Sequence, residues 1–118
     1  MISINSLTTA VARMFGTPTQ QSADRVRNAV NRAYHNAADR YASNDAALFT
    51  KEFALNEGAP IIQAFLAGKQ SRHDAAAELS RRWNVDLGPI SSRELRWRVA
   101  DTTMMADVFL VELAHALD

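Results

Sequence analysis

The chain has 118 residues, of which 47% are hydrophobic and 22% are charged, with 13 basic and 13 acidic residues and no cysteine. These values indicate one soluble globular domain over residues 1–118 and exclude disulfides, thiolate catalysis and cysteine-ligated metals. We see neither a signal peptide nor an apolar run long enough to cross a membrane, so we expect a cytoplasmic protein.

The first half of the chain predicts three helices. Apolar residues at helical spacing predict a first helix over about residues 5–15 and a second over about residues 22–41. The apolar stripe of the second helix is rich in alanine, so a neighbouring helix can approach it closely. This stripe consists of Val26, Ala29, Val30, Ala33, Ala37 and Tyr41. A third helix is predicted over about residues 46–56, with an N-cap in residues 43–45 and Gly58 as its terminating glycine.

Proline, glycine and serine divide the middle of the chain. Pro60 suits the first turn of a short fourth helix, and Gly68 ends that helix. Ser71 begins an S-x-x-D capping sequence, which opens a fifth helix that reaches about residue 84. Residues 85–90 follow as the longest predicted loop.

The last helix is the longest in the chain. Residues 91–94 read Ser-Ser-Arg-Glu, a capping-box pattern, and no glycine or proline follows before residue 118. The sequence therefore permits a helix of roughly 26 residues, or about 39 Å at 1.5 Å per residue. We predict an all-α fold, a compact bundle of five or six helices around this C-terminal helix.

Two apolar stripes run along the last helix. The first consists of Leu95, Val99, Thr102, Ala106, Phe109, Leu113 and Ala116, with Leu110 and Leu117 beside it. The second lies roughly opposite and consists of Trp97, Met104, Val108 and Val111, with Asp101 and His115 in the same register. A surface helix needs only one such stripe. Either the chain covers the second stripe itself, or the stripe binds another chain.

The charges of the last helix change sign along its axis. Its first turns carry Arg93, Arg96 and Arg98, whereas Asp101, Asp107, Glu112 and Asp118 follow. This order opposes the helix dipole, which favours acidic residues at the start and basic residues at the end. The packing of the helix must therefore outweigh this mismatch, which leaves three arginines clustered at one end.

No sequence motif predicts catalysis or cofactor binding. The phosphate-binding glycine patterns, G-x-S-x-G and HExxH are all absent, and His35, His73 and His115 lie on different predicted helices. We therefore predict no catalytic, cofactor or metal site and expect a non-enzymatic protein that binds a protein partner or itself, as an adaptor, inhibitor, regulator or homodimer. The predicted binding residues are Arg93, Arg96, Trp97, Met104, Val108 and Val111, because tryptophan and arginine are enriched in binding hot spots.

Residues 72–98 support one alternative, a DNA-binding regulator. A short helix, a turn and a second helix loosely resemble a helix-turn-helix, whose second helix enters the major groove. Ser92, Arg93 and Arg96 would then contact bases or phosphates, and Arg81 and Arg82 the flanking backbone. Against this alternative, the loop over residues 85–90 exceeds the usual turn, and the formal net charge is zero.

Overall fold

The computed structural model describes residues 20–40, 48–85 and 91–117. These residues form five helices and no strand: α1 (Gln20–Arg40), α2 (Lys51–Leu55), α3 (Ala59–Leu66), α4 (Arg72–Trp83) and α5 (Ser92–Leu117). The predicted all-α fold around a long C-terminal helix is confirmed. The first predicted helix, the N-cap at residues 43–45 and residues 86–90 of the predicted loop lie outside the described residues.

Helix α5 is the element against which α1 and α4 both pack. It contains 26 residues, as its uninterrupted sequence predicts. Its buried residues are Thr102, Met105, Ala106, Phe109, Leu110, Leu113 and Leu117. They recur every one to four residues on one side of the helix, so this side forms the centre of the hydrophobic core.

Helix α1 packs against α5 through small side chains. Val26, Ala29, Val30, Ala33 and Ala37 are all buried, as the periodicity of the sequence predicts. At the ends of this contact, the Arg25 guanidinium donates to the Leu117 carbonyl oxygen at 3.1 Å, and the Asn36 amide donates to Glu112 Oε2 at 3.3 Å. Because hydrogen bonds depend on orientation, these two contacts help to fix the position of α1 on α5.

The third predicted helix is wrong in extent. Helix α2 begins only at Lys51, because Thr50 caps it by accepting a hydrogen bond from the Phe53 amide at 3.1 Å. Phe49 is buried outside any helix, with its ring 5.7 Å from that of Phe109 and nearly perpendicular to it. Phe49 fits the apolar spacing of a helix in the sequence. In the structure it is apolar because it contacts the core, not because it lies in a helix.

The predicted role of Gly58 is also wrong. Asn56 is the C-cap of α2, and Gly58 is the N-cap of α3 with φ of −80°, so its backbone does not require glycine. A Cβ atom at this position would lie 2.9 Å from the Leu79 Cδ2 atom, and Leu79 is fully buried. Gly58 is therefore explained by the close approach of α4.

The predicted boundaries of α3 and α4 agree with the structure. Pro60 lies in the first turn of α3, and Gly68 adopts φ of +76° after the helix ends. The Ser71 hydroxyl accepts a hydrogen bond from the Asp74 amide at 3.1 Å at the start of α4. Local capping chemistry accounts for these boundaries.

A buried polar contact joins α4 to α5. The Ser80 hydroxyl donates to the Val99 carbonyl oxygen at 2.8 Å, and the Asn84 amide donates to Thr102 Oγ1 at 3.2 Å. Ser80, Asn84 and Thr102 are all buried. The contact holds the first half of α5 against the end of α4 and thereby sets which side of α5 faces away from the core.

Candidate protein-binding surface

The side of α5 opposite the core carries large apolar side chains in solvent. Trp97 is 60% exposed and Met104 is 53% exposed, whereas Val108 and Val111 are partly buried. We call this side the outer face and define it as Arg93, Trp97, Asp101, Met104, Val108, Val111 and His115. The described part of the chain therefore covers Val108 and Val111 in part and leaves Trp97 and Met104 exposed.

Polar contacts border the outer face on both sides. The Arg72 guanidinium pairs with the Asp107 carboxylate at 2.8 Å on the side of α4, and the contact between Asn36 and Glu112 lies on the side of α1. At 100° per residue, Asp107 and Glu112 flank the line through Met104 and Val111. The surface therefore has an apolar centre and a polar rim.

The beginning of α5 is exposed on every side. All residues from 91 to 97 are exposed, and Ser91, Arg93, Glu94 and Trp97 line an open cavity of about 400 Å³. The Ser91 hydroxyl caps the helix by accepting from the Glu94 amide at 3.1 Å. This cap keeps α5 helical to its first residue, which places Arg93 and Trp97 one turn apart on the same face.

The arginines of α5 differ in their partners. Arg98 donates to Glu94 Oε1 at 3.0 Å. Arg93 and Arg96 are exposed, and neither forms an ion pair with a described residue. Their charges are thus available to a partner, while that of Arg98 is already offset.

The structure separates the two tryptophans that flank the predicted loop. Trp83 packs edge-on against Phe53 with ring centroids 5.3 Å apart, and it lines a cavity different from that of Trp97. The two indoles therefore have different surroundings. Trp83 stabilises the fold, and Trp97 is the indole presented to solvent.

The residues of the DNA-binding alternative occupy two sites. Arg81 and Arg82 are exposed in the last turn of α4, and Ser92, Arg93 and Arg96 are exposed in the first turns of α5. Arg82 lines the cavity beside Trp83, whereas Arg93 lines the cavity beside Trp97. In the described part of the chain these arginines therefore lie beside different cavities, and acidic residues line both cavities.

The cavity beside Trp83 has no counterpart among the sequence predictions. It measures about 450 Å³ and is lined by Thr50, Glu52, Phe53, Asn56, Glu57, Arg82 and Trp83. These residues come from α2, α4 and the turns that adjoin α2, so no local motif marks them. The lining carries charges of both signs, and the Asn56 Oδ1 atom is buried without a partner among the described residues.

The three histidines, which lie on different helices, are all exposed. Among the described residues, no three histidine, aspartate or glutamate side chains are grouped as metal ligands. None of the described helices combines the length and apolar character needed to span a membrane.

No protein-family model, curated protein or solved structure matches the chain.

Proposed function

We propose that this protein is a non-enzymatic, protein-binding module and that it binds its partner through the outer face of α5. The observation that carries this proposal is the exposure of Trp97 and Met104 on a helix whose opposite side is buried from Thr102 onward. The chain uses one side of α5 for its core and leaves two large apolar side chains of the other side in water. Such a surface fits an adaptor, inhibitor or regulator of another protein, or a homodimer.

The physical reason is the free energy that these side chains release when a partner removes them from water. Complete burial of one large apolar side chain contributes about 1.5–3 kcal/mol. Tryptophan and arginine are also the residue types that most often dominate binding energy, and Arg93 lies one turn from Trp97. An apolar centre with a polar rim is the usual arrangement of a specific interface.

Met104→Glu tests this proposal, because Met104 is exposed and its replacement leaves the core intact. Val108 is a poorer choice, since it is partly buried and packs against the core. We expect a tagged chain to retain a stoichiometric protein from its native host after nuclease treatment, and Met104→Glu to release it. Mass spectrometry identifies the retained protein, and circular dichroism checks that the variant is folded.

Val85→Glu is the matched control, because Val85 is 74% exposed and lies outside the outer face. This variant should retain the partner as the native chain does. Loss of the partner from both variants, or from neither, would contradict a binding site on the outer face.

A second candidate function is DNA binding by the region 72–98. The observation that favours it is the exposure of Arg81 and Arg82 together with the exposed N-terminal turns of α5. The first turns of a second helix are those that a helix-turn-helix places in the major groove. The neutral net charge and Glu94 in the first turn weaken this candidate.

Salt dependence distinguishes this candidate from the proposed function. Binding to duplex DNA should weaken with salt by a slope of about −0.9 per phosphate contacted, measured by fluorescence anisotropy. Replacing Arg81 and Arg82 by alanine should reduce the slope, and Met104→Glu should not. Absence of binding at low salt would eliminate the candidate.

A further inference from the structure

We propose that the partner of the outer face is a second copy of this chain, with the two α5 helices packed antiparallel. This inference rests on the proposed function and names its partner. Two features of α5 carry it: the spacing of the outer-face residues and the order of the charges.

The outer face has the spacing of a helix–helix seam. From Trp97 to His115 its members follow one another at intervals of four, three, four, three and four residues. This alternation keeps the residues on one line when two helices pack side by side. The line covers 18 residue steps, or about 27 Å at 1.5 Å per residue. One long helix can therefore pair with another along this line.

Antiparallel pairing places each of the six outer-face positions from Trp97 to His115 opposite one position of the second copy. When the two helices cross at the level of residue 106, Met104 lies opposite Val108 of the second copy. In the same register, Trp97 lies opposite His115 of the second copy, and Asp101 lies opposite its Val111. Each seam residue thus has one opposite residue, and the most apolar pair lies at the centre, as in a twofold interface.

The order of the charges favours antiparallel over parallel pairing. The first turns of α5 carry three arginines, and every charged residue from 101 onward, histidine excepted, is acidic. Parallel helices would bring the arginines of both copies together. Antiparallel helices place Arg93 and Arg96 beside the acidic, C-terminal end of the second copy, where the helix dipole is also negative. The arrangement accounts for arginines that oppose the dipole of their own helix.

Asp107 lies close to the middle of this pairing, where two copies of the same carboxylate approach each other. Its ion pair with Arg72 at 2.8 Å offsets the repulsion between them. The neighbouring positions on the same side are Ala100 and Ala114, whose small side chains allow the helices to come close.

Sedimentation equilibrium of the purified full chain is the first test. We expect a dimer for the native chain and for Val85→Glu, and a monomer for Met104→Glu. The dissociation constant of the dimer should rise about a hundredfold or more in Met104→Glu, because the substitution occurs twice at a twofold interface. Circular dichroism establishes that both variants remain folded.

Cross-linking then tests the orientation, which is straightforward because the chain contains no cysteine. Ala100→Cys and Ala114→Cys chains are mixed and treated with a short bismaleimide. In the antiparallel dimer residue 100 lies beside residue 114 of the second copy, whereas the two copies of residue 100 are separated by about 18 Å along the axis. We expect cross-linked dimer in the mixture and none in either variant alone.

Three outcomes would overturn the inference: a native chain that is monomeric at all concentrations, a dimer that Met104→Glu leaves intact, and a dimer that gives no cross-link in the mixture. The first outcome leaves the proposed function standing if a different protein is still retained through Met104. The second outcome, together with a retained partner that is insensitive to Met104→Glu, removes the proposed function as well.

Discussion

Asn84 links the end of α4 to α5 through a single buried side chain. Its Nδ2 atom donates to the Ser80 carbonyl oxygen at 2.8 Å and to Thr102 Oγ1 at 3.2 Å. Its Oδ1 atom is buried without a hydrogen-bond partner among the described residues. The Nδ2 atom also donates to Ser80 Oγ at 3.4 Å. The side chain thus forms three hydrogen bonds and leaves one acceptor unsatisfied, so its contribution to stability is a balance of opposing effects.

Asn84→Ala should reduce the free energy of unfolding by about 1–3 kcal/mol, because Thr102 loses a buried donor and the space of the amide remains empty. Urea denaturation followed by circular dichroism measures the change. Asn28→Ala is the control, since Asn28 is exposed on α1 and should change the value by no more than about 0.5 kcal/mol. Equal stability of the two variants would show that the unsatisfied oxygen cancels the bonds.

At the scale of the element, the start of α5 depends on Ser91 and not on Ser92. The Ser91 hydroxyl accepts from the Glu94 amide, whereas Ser92 is the first residue of the helix and is exposed. In a capping box the Glu94 carboxylate would accept from the backbone N–H of the capping serine. In the structure this carboxylate instead forms an ion pair with Arg98 at 3.0 Å. Adjacent serines therefore have different roles that their sequence does not distinguish.

Ser91→Ala should destabilise the protein by about 1 kcal/mol, the usual value of an N-cap, whereas Ser92→Ala should have almost no effect. Thermal unfolding of both variants at one protein concentration measures the difference. The pair is closely matched, because each change removes one hydroxyl from neighbouring exposed residues. A larger effect of Ser92→Ala would mean that the helix begins one residue later.

At the scale of the whole molecule, the bundle depends on the close approach of α1 to α5. Ala29, Ala33 and Ala37 are buried in succession on α1, and none has a side chain larger than a methyl group. Short side chains permit a small interaxial distance, which in turn brings Arg25 and Asn36 within hydrogen-bond distance of α5. In this position α1 leaves Trp97 and Met104 of the outer face exposed.

Ala33→Leu should destabilise the fold by about 1–3 kcal/mol or more, because a larger side chain in a close-packed interface forces the helices apart. Ala67→Leu is the control, since Ala67 is exposed after α3. Chemical denaturation of the two variants gives the comparison. A native stability for Ala33→Leu would show that α1 can move without loss of the core.

Local chemistry determined several of the helix boundaries. Ser71 and Ser91 predict the starts of α4 and α5, and Gly68 predicts the end of α3. These predictions succeed because capping and left-handed glycine conformations depend on a few adjacent residues. The length of α5 was predictable for the same reason, since no helix-breaking residue interrupts it.

Tertiary contacts explain the features of α2 and α3 that local chemistry does not determine. The contact of Phe49 with Phe109 explains why Phe49 is buried outside α2, ahead of the Thr50 cap, and Gly58 is explained by its distance to Leu79. These contacts join residues that are distant in the sequence, so no local pattern contains them.

The same distinction applies to the candidate site. Helical periodicity alone determined that α5 has two apolar stripes, and it placed Trp97 and Met104 on the second of them. Which stripe enters the core depends on where α1 and α4 pack, because both stripes satisfy the requirement for an amphipathic helix. Only the tertiary structure decided that Trp97 and Met104 face solvent, and this exposure is the physical basis of the proposed interface.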